Sequence, residues 1–119
     1  MFDTARHSQL VDEVFALAPV IPVLAIDRIE DALPLCRALV DNGLPVLEIT
    51  LRTACALDAI ALVARALPHA CVGAGTVLSE ADLAKVTEAG ARFAISPGAT
   101  DTLFNAAKTS AVPLIPGIA

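Results

Sequence analysis

The 119-residue sequence predicts an α/β fold: a parallel sheet, its strands alternating with helices, that curls toward a (β/α)8 barrel and supplies about five of the eight strands. Three observations predict it. Short runs of Val, Ile and Leu bounded by Gly or Pro recur at intervals of roughly 20–25 residues, with helix-like segments between them. Hydrophobic residues make up 56% of the chain and aromatics only 3%, so the core is aliphatic, as suits buried parallel strands under Ala-rich helices. Right-handed crossovers put such helices on one side of the sheet if it curls into a barrel. A complete barrel takes about 200–250 residues. Residues 1–119 are therefore read as one domain, the N-terminal portion of a barrel.

The elements follow in order. Thr4 is positioned to cap an opening helix whose apolar stripe is Leu10, Val11, Val14 and Phe15. Residues 20–26 form the first strand. Asp27 precedes a helix carrying Leu35, Cys36, Leu39 and Val40; Gly43 ends it, and Pro34 lies near its first turns. Residues 46–51 are the second strand. Thr53 can cap a helix bearing Leu57, Ile60 and Val63, stopped by Pro68. Residues 71–75 are the third strand. Ser79 and Asp82 make a capping-box-like start, and Gly90 the stop, of the next helix. After strand 93–96, Thr100 caps a helix with Leu103, Phe104 and Ala107. Residues 113–118 form a fifth strand, whose outer edge has no predicted partner.

Composition excludes several functions. Net charge is −5 and no Lys/Arg cluster exists, so nucleic acid is not an expected partner. Cys36, Cys55 and Cys71 are isolated, without CxxC or Cys/His metal spacing. No metal or cofactor is expected, and the cysteines read as small buried hydrophobes in a reducing compartment. His7 and His69 read as surface residues. The polar, charged opening does not resemble a signal peptide, and no apolar run reaches the ~18 residues of a membrane span. A cytoplasmic protein with no membrane partner is expected.

Chemistry concentrates in Val46-Leu47-Glu48-Ile49-Thr50-Leu51-Arg52. Side chains alternate along a strand, so Leu47, Ile49 and Leu51 share one face and Glu48, Thr50 and Arg52 the other. If the apolar face meets the helices, the polar one points into the barrel, where charged groups need partners or a ligand. Four residues of strand separate Glu48 and Arg52 by about 13 Å, too far for a direct ion pair; a wider ion network stays open. The functional reading is an acid/base group deep in the barrel and an anion binder at its C-terminal rim. The third strand ends Gly73-Ala74-Gly75-Thr76, where two glycines permit close approach and Thr76 offers a hydroxyl, or else an ST-turn or cap. The match to a dinucleotide fingerprint is only partial and is rejected. Pro97-Gly98 and Pro116-Gly117 mark tight turns at the same rim.

Leu47-Glu48-Ile49-Thr50-Leu51-Arg52-Thr53 resembles the active-site signature of the 2-keto-3-deoxy-6-phosphogluconate (KDPG) and 4-hydroxy-2-oxoglutarate (KHG) aldolase family. Residues 19–23, 72–77, 94–98 and 113–117 are similar to that family in the same order and spacing, so the resemblance covers nearly the whole chain. It implies a TIM barrel of the class I aldolase type and usually a homotrimer, with no metal. It implies reversible cleavage of a 2-keto-3-deoxy-6-phospho sugar acid to pyruvate and glyceraldehyde 3-phosphate, through a lysine Schiff base. KHG cleavage to pyruvate and glyoxylate is a related option. Glu48 matches the family's general acid/base, Arg52 and Thr76 match groups holding the pyruvate-end carboxylate, and Pro97 matches a residue lining the pocket.

The resemblance also implies a Schiff-base lysine on a sixth strand, and none of the five strands here carries it. Lys85 and Lys108 are the only lysines, and both read as surface residues on helices. The chain alone is expected to be inactive. Two other readings stay open. One is a non-catalytic half-barrel that binds or assembles through open sheet edges. The other is a small phosphate-sugar barrel of the thiamine-phosphate synthase kind, which would want an Arg/Lys set near the first strands that is not seen.

Overall fold

The computed structural model describes residues 4–117. Helix α1 (Thr4–Leu17) precedes strand β1 (Val23–Leu24), followed by α2 (Ile29–Asp41), β2 (Val46–Thr50), α3 (Ala56–Ala66), β3 (Cys71–Gly75), α4 (Glu80–Ala89), β4 (Ala94–Ser96), α5 (Asp101–Ala107) and β5 (Leu114–Pro116). The strands form one sheet in the order β1-β2-β3-β4-β5, each pair parallel. This is the predicted strand–helix alternation.

Side-chain alternation sorts the sheet into two faces. Leu47, Ile49, Val72, Ala74, Ala94 and Leu114 are buried against the helices, in one cluster with Cys36 of α2, Ile60 and Val63 of α3, Val86 of α4 and Leu103 of α5. Each large aliphatic side chain removed from water there contributes about 1.5–3 kcal/mol. Val46, Cys71 and Phe93 alternate with these residues and pack on the opposite, inner face with Val14 and Ala18. Helix α1 is no crossover helix, and it covers the start of the strands on this inner face. Phe15 follows Val14 about 100° round the helix and is left 50% exposed, although it was expected in the buried stripe.

Three of the expected caps form, at Ser79, Gly90 and Thr100. The Ser79 hydroxyl accepts from Asp82 N at 3.1 Å, and the Asp82 carboxylate accepts from Leu78 N at 3.0 Å. Thr100 Oγ1 accepts from Leu103 N at 3.2 Å. Gly90 ends α4 at φ +99°, a left-handed cap that glycine takes without strain. Thr53 does not cap α3. The cap position is Cys55, and the Thr53 hydroxyl donates instead to the Ile26 carbonyl at 2.5 Å, where the Cys55 thiol also donates at 3.0 Å. Thr4 stands inside α1 and not ahead of it. Pro34 sits in the interior of α2.

Other boundaries shift. The first strand keeps only Val23 and Leu24: Pro22 has no N–H for the ladder, although its carbonyl accepts from Glu48 N at 3.0 Å. Ile118, placed in the fifth strand from sequence, lies outside the described residues. His7 is half-buried, with Nε2 2.9 Å from the Leu114 carbonyl oxygen, and is not a surface residue. Cys36 and Cys71 are buried, whereas Cys55 is only half-buried. No helix among the described residues is long and apolar enough to cross a membrane.

Two substitutions test this layering. Ser79→Ala removes the α4 cap and is expected to cost about 1 kcal/mol. Phe93→Ala empties the inner-face core and is expected to cost about 3–5 kcal/mol. Urea unfolding reads both as a lower midpoint at unchanged slope.

Candidate active site

Strand β2 carries the site because it lies inside the sheet, paired to β1 and β3. Its register sets Glu48 beside Val23 on one side and Gly73 on the other, and Thr50 beside Gly75. All five residues of β2 are buried. Leu47 and Ile49 take the helix side, so Glu48 and Thr50 face inward, as alternation predicts.

Glu48 is 8% exposed. Burial pushes its carboxyl above the ordinary value of 4.5, and the positive charge of Arg52 pulls back part of that rise. Among the described residues no protein group donates a hydrogen bond to the carboxyl. Its neighbour across the strand is the bare backbone of Gly75: a Cβ there would overlap Oε1 and lie 2.8 Å from Cδ and 3.0 Å from Cγ.

The other candidate residues lie in different surroundings. Thr50 Oγ1 donates to the Leu24 carbonyl at 3.2 Å, so this hydroxyl ties β2 to β1. Arg52 is not on the strand. Strand β2 ends at Thr50, the chain turns at 51–52, and the guanidinium side chain is exposed. The separation of about 13 Å holds only for extended chain; from the turn, the Arg52 charge is felt at Glu48. Thr76 follows the last residue of β3 with φ +58°, a left-handed conformation that a β-branched residue adopts only under constraint. Ladder bonds flank it, Leu51 N to Gly75 O at 2.9 Å and Val77 N to Ile95 O at 3.1 Å. Thr76 is not a helix cap, since Ser79 caps α4. Pro97 is exposed just beyond β4, and its carbonyl lies 2.5 Å from where a Cβ on Gly117 would sit. Gly117 N donates to Ser96 O at 2.6 Å, so the two Pro-Gly corners meet after β4 and β5.

Glu48, Arg52, Thr76 and Pro97 thus belong to the inner face or to the C-terminal ends of three successive strands. That is the rim where barrels of this kind hold their substrates. The glycines of β3 do permit close approach, but it is the chain's own side chains that approach: Glu48 over Gly75 and the Phe93 ring over Gly73. Sequence reading missed the Thr53–Cys55 clamp on Ile26 and the buried Ser96 hydroxyl, which has no protein partner among the described residues. Nothing in the local pattern marks either. No cluster of three His, Cys, Asp or Glu residues able to hold a metal occurs among the described residues.

The buried carboxyl gives a pH prediction. A raised folded-state pKa means the folded chain binds the proton more tightly. Stability from Glu48 is therefore fully present below about pH 4.5 and lost as pH rises through the folded value. Glu48→Gln is expected to flatten that decline in urea midpoints measured across this window. An equal decline in the variant would place the titration elsewhere.

Comparisons with known proteins point to one family. A family model described as "Aldolase: KDPG and KHG aldolase" matches residues 11–119. The KHG/KDPG aldolase of Escherichia coli K12 is 53% identical over 107 residues, covering 90% of this chain and 50% of that protein. The 2-dehydro-3-deoxy-phosphogluconate aldolase of Pseudomonas aeruginosa is 44% identical over all 119 residues, 54% of its length. The chain spans about half the length of the curated relatives it matches. Among solved structures, the KDPG aldolase of Legionella pneumophila, with pyruvate captured as a covalent carbinolamine intermediate, superposes with a TM-score of 0.86 at 51% identity. That match covers 88% of this chain and 51% of the other. The Zymomonas mobilis enzyme with 3-phosphoglycerate gives a TM-score of 0.87 at 50% identity, covering 92% and 52%.

Proposed function

The chain belongs to the KDPG and KHG aldolase family, and from that premise we propose that it forms the pyruvate-end part of a Schiff-base aldolase site. The reaction is reversible cleavage of 2-keto-3-deoxy-6-phosphogluconate to pyruvate and glyceraldehyde 3-phosphate, with 4-hydroxy-2-oxoglutarate as a second substrate. Glu48 is the general acid/base, Arg52 and Thr76 hold the keto acid's carboxylate, and Pro97 lines the pocket. The carrying observation is the Glu48 carboxyl: buried on the inner face, shifted upward by desolvation, and within the field of Arg52. A carboxyl whose pKa moves toward neutrality suits proton transfer near neutral pH. An exposed guanidinium at the rim suits a carboxylate, which it can bind with two parallel hydrogen bonds.

The carbinolamine in the Legionella relative supports the mechanism, since an amine adding to a keto carbon gives that species before the imine. In this chain the available amines are poorly placed for it. Lys85 is exposed on α4, and Lys108 is exposed at the end of α5, on the face opposite the rim. The chain alone therefore binds the keto acid without forming the Schiff base. The full-length family protein works in the cytoplasm as a homotrimer, on a small keto acid and without a metal or organic cofactor.

The assembly reading keeps one favourable observation. Val20 and Val23, at the β1 edge, are 55% and 62% exposed, an apolar margin that another surface could cover. Sedimentation separates the readings, since a monodisperse compact dimer would favour assembly.

Pyruvate titrated into the chain is expected to shift the backbone resonances of 50–52 and 75–77, and Arg52→Ala to weaken binding about tenfold, roughly 1.4 kcal/mol. Binding unchanged by that variant would remove Arg52 from the site. Borohydride with pyruvate is expected to leave Lys85 and Lys108 unmodified, and a reduced adduct on either would contradict the inactive-alone reading.

A further inference from the structure

Register places Glu48 directly beside Gly73, yet its carboxyl does not lie over Gly73. It lies over Gly75, two residues further along β3, about 6.6 Å at strand rise. The side chain therefore leans along the sheet toward the C-terminal rim. The space above Gly73 is filled by the Phe93 ring reaching across from the β4 side, with Cδ2, Cε2 and Cζ all within overlap of a Cβ at that position. Phe93 is fully buried and packed with Val46 and Cys71, so it cannot yield easily. The remaining open position on β3 is Gly75.

Backbone conformation does not demand glycine at 75. Among the described glycines only Gly43 and Gly90 have positive φ, and the ladder bond from Leu51 N to Gly75 O is an ordinary strand contact. The three atoms nearest a Cβ at 75 all belong to Glu48, whereas at Gly117 the nearest atoms are backbone of Ser96 and Pro97. Of these positions, only the one at 75 has its missing side chain replaced by an ionisable group.

We propose that Gly75 is a positioning residue: its bare backbone is the seat of the Glu48 carboxyl, and with the Phe93 ring closing the alternative it delivers that carboxyl to the level of Thr76. The importance of the placement rests on the acid/base reading of Glu48, but the placement itself does not. A methyl group at 75 takes the seat, and the long, flexible Glu48 side chain must swing away from β3 toward water.

The test is Gly75→Ala in two backgrounds, with Glu48 present and with Glu48→Ala, read by urea unfolding and by carbon-13 NMR titration of the Glu48 carboxyl. The expected result is a lower unfolding midpoint only where Glu48 is present, and a Glu48 titration that falls back toward 4.5. If Gly75→Ala fails to fold, recovery of the fold by adding Glu48→Ala supports the seat, and failure of both variants overturns it. Equal destabilisation in the two backgrounds, or an unmoved titration, also overturns it. Failure of the acid/base reading is a separate outcome: a full-length homologue carrying Glu48→Gln at the equivalent residue would keep its aldol activity, while the unsubstituted Glu48 carboxyl of the present chain still titrated as a seated group.

Discussion

The register of β2 against β3 is the constraint from which the rest of the molecule follows. Five consecutive pairs, from Val46 beside Cys71 to Thr50 beside Gly75, lock a strand whose side chains alternate every residue. A slip of one position would turn Leu47 and Ile49 inward and drive Glu48 into an aliphatic layer containing Ile60 and Val63. A carboxylate there would lose its hydration with nothing to replace it. The same apolar packing that holds the helices on the sheet therefore also decides which way the acid faces. Stability and site geometry are in this respect one property of β2.

Much of this was legible because it is local. The runs at 46–50 and 71–75 are short, apolar and bounded by Pro or Gly, and they became strands almost as read. Ser79 and Thr100 cap their helices through amides three residues ahead, within reach of a local pattern. Thr53 offered the same pattern, but its hydroxyl met the Ile26 carbonyl, 27 residues away in sequence and adjacent only after β1 and β2 pair. The bond between His7 and Leu114 spans 107 residues and has no sequence signature. For Arg52, alternation was extended past the end of the strand. The chain turns at 51–52 instead; no direct ion pair joins Arg52 to Glu48 among the described residues, as the spacing required, yet its charge still acts on the carboxyl. The glycines of β3 signalled empty space, but what fills it is set by cross-strand register, which no single strand encodes.

Two unfavourable terms sit side by side at the rim. Burial of the Glu48 carboxyl opposes ionisation more strongly than Arg52 favours it. The left-handed backbone at Thr76 costs about 1–3 kcal/mol for a β-branched residue. The strain persists because the residues on both sides are fixed, Gly75 by Leu51 and Val77 by Ile95. Neither term improves folding, and both occur where three successive strands present polar groups together. A core built only for stability would have an aliphatic side chain at 48 and a glycine at 76.

The bond from His7 to the Leu114 carbonyl has a topological meaning of its own. Pro113 directs its carbonyl to Ala94 of β4, so in an alternating ladder Leu114 directs its carbonyl the opposite way, off the sheet's outer margin. A terminal strand with such acceptors bare is a template on which a foreign chain can propagate. The imidazole occupies one rung of that template. Any strand that pairs with β5 on that side, from this protein or from another, meets an imidazole anchored on a helix packed across the inner face and must displace it from the Leu114 carbonyl.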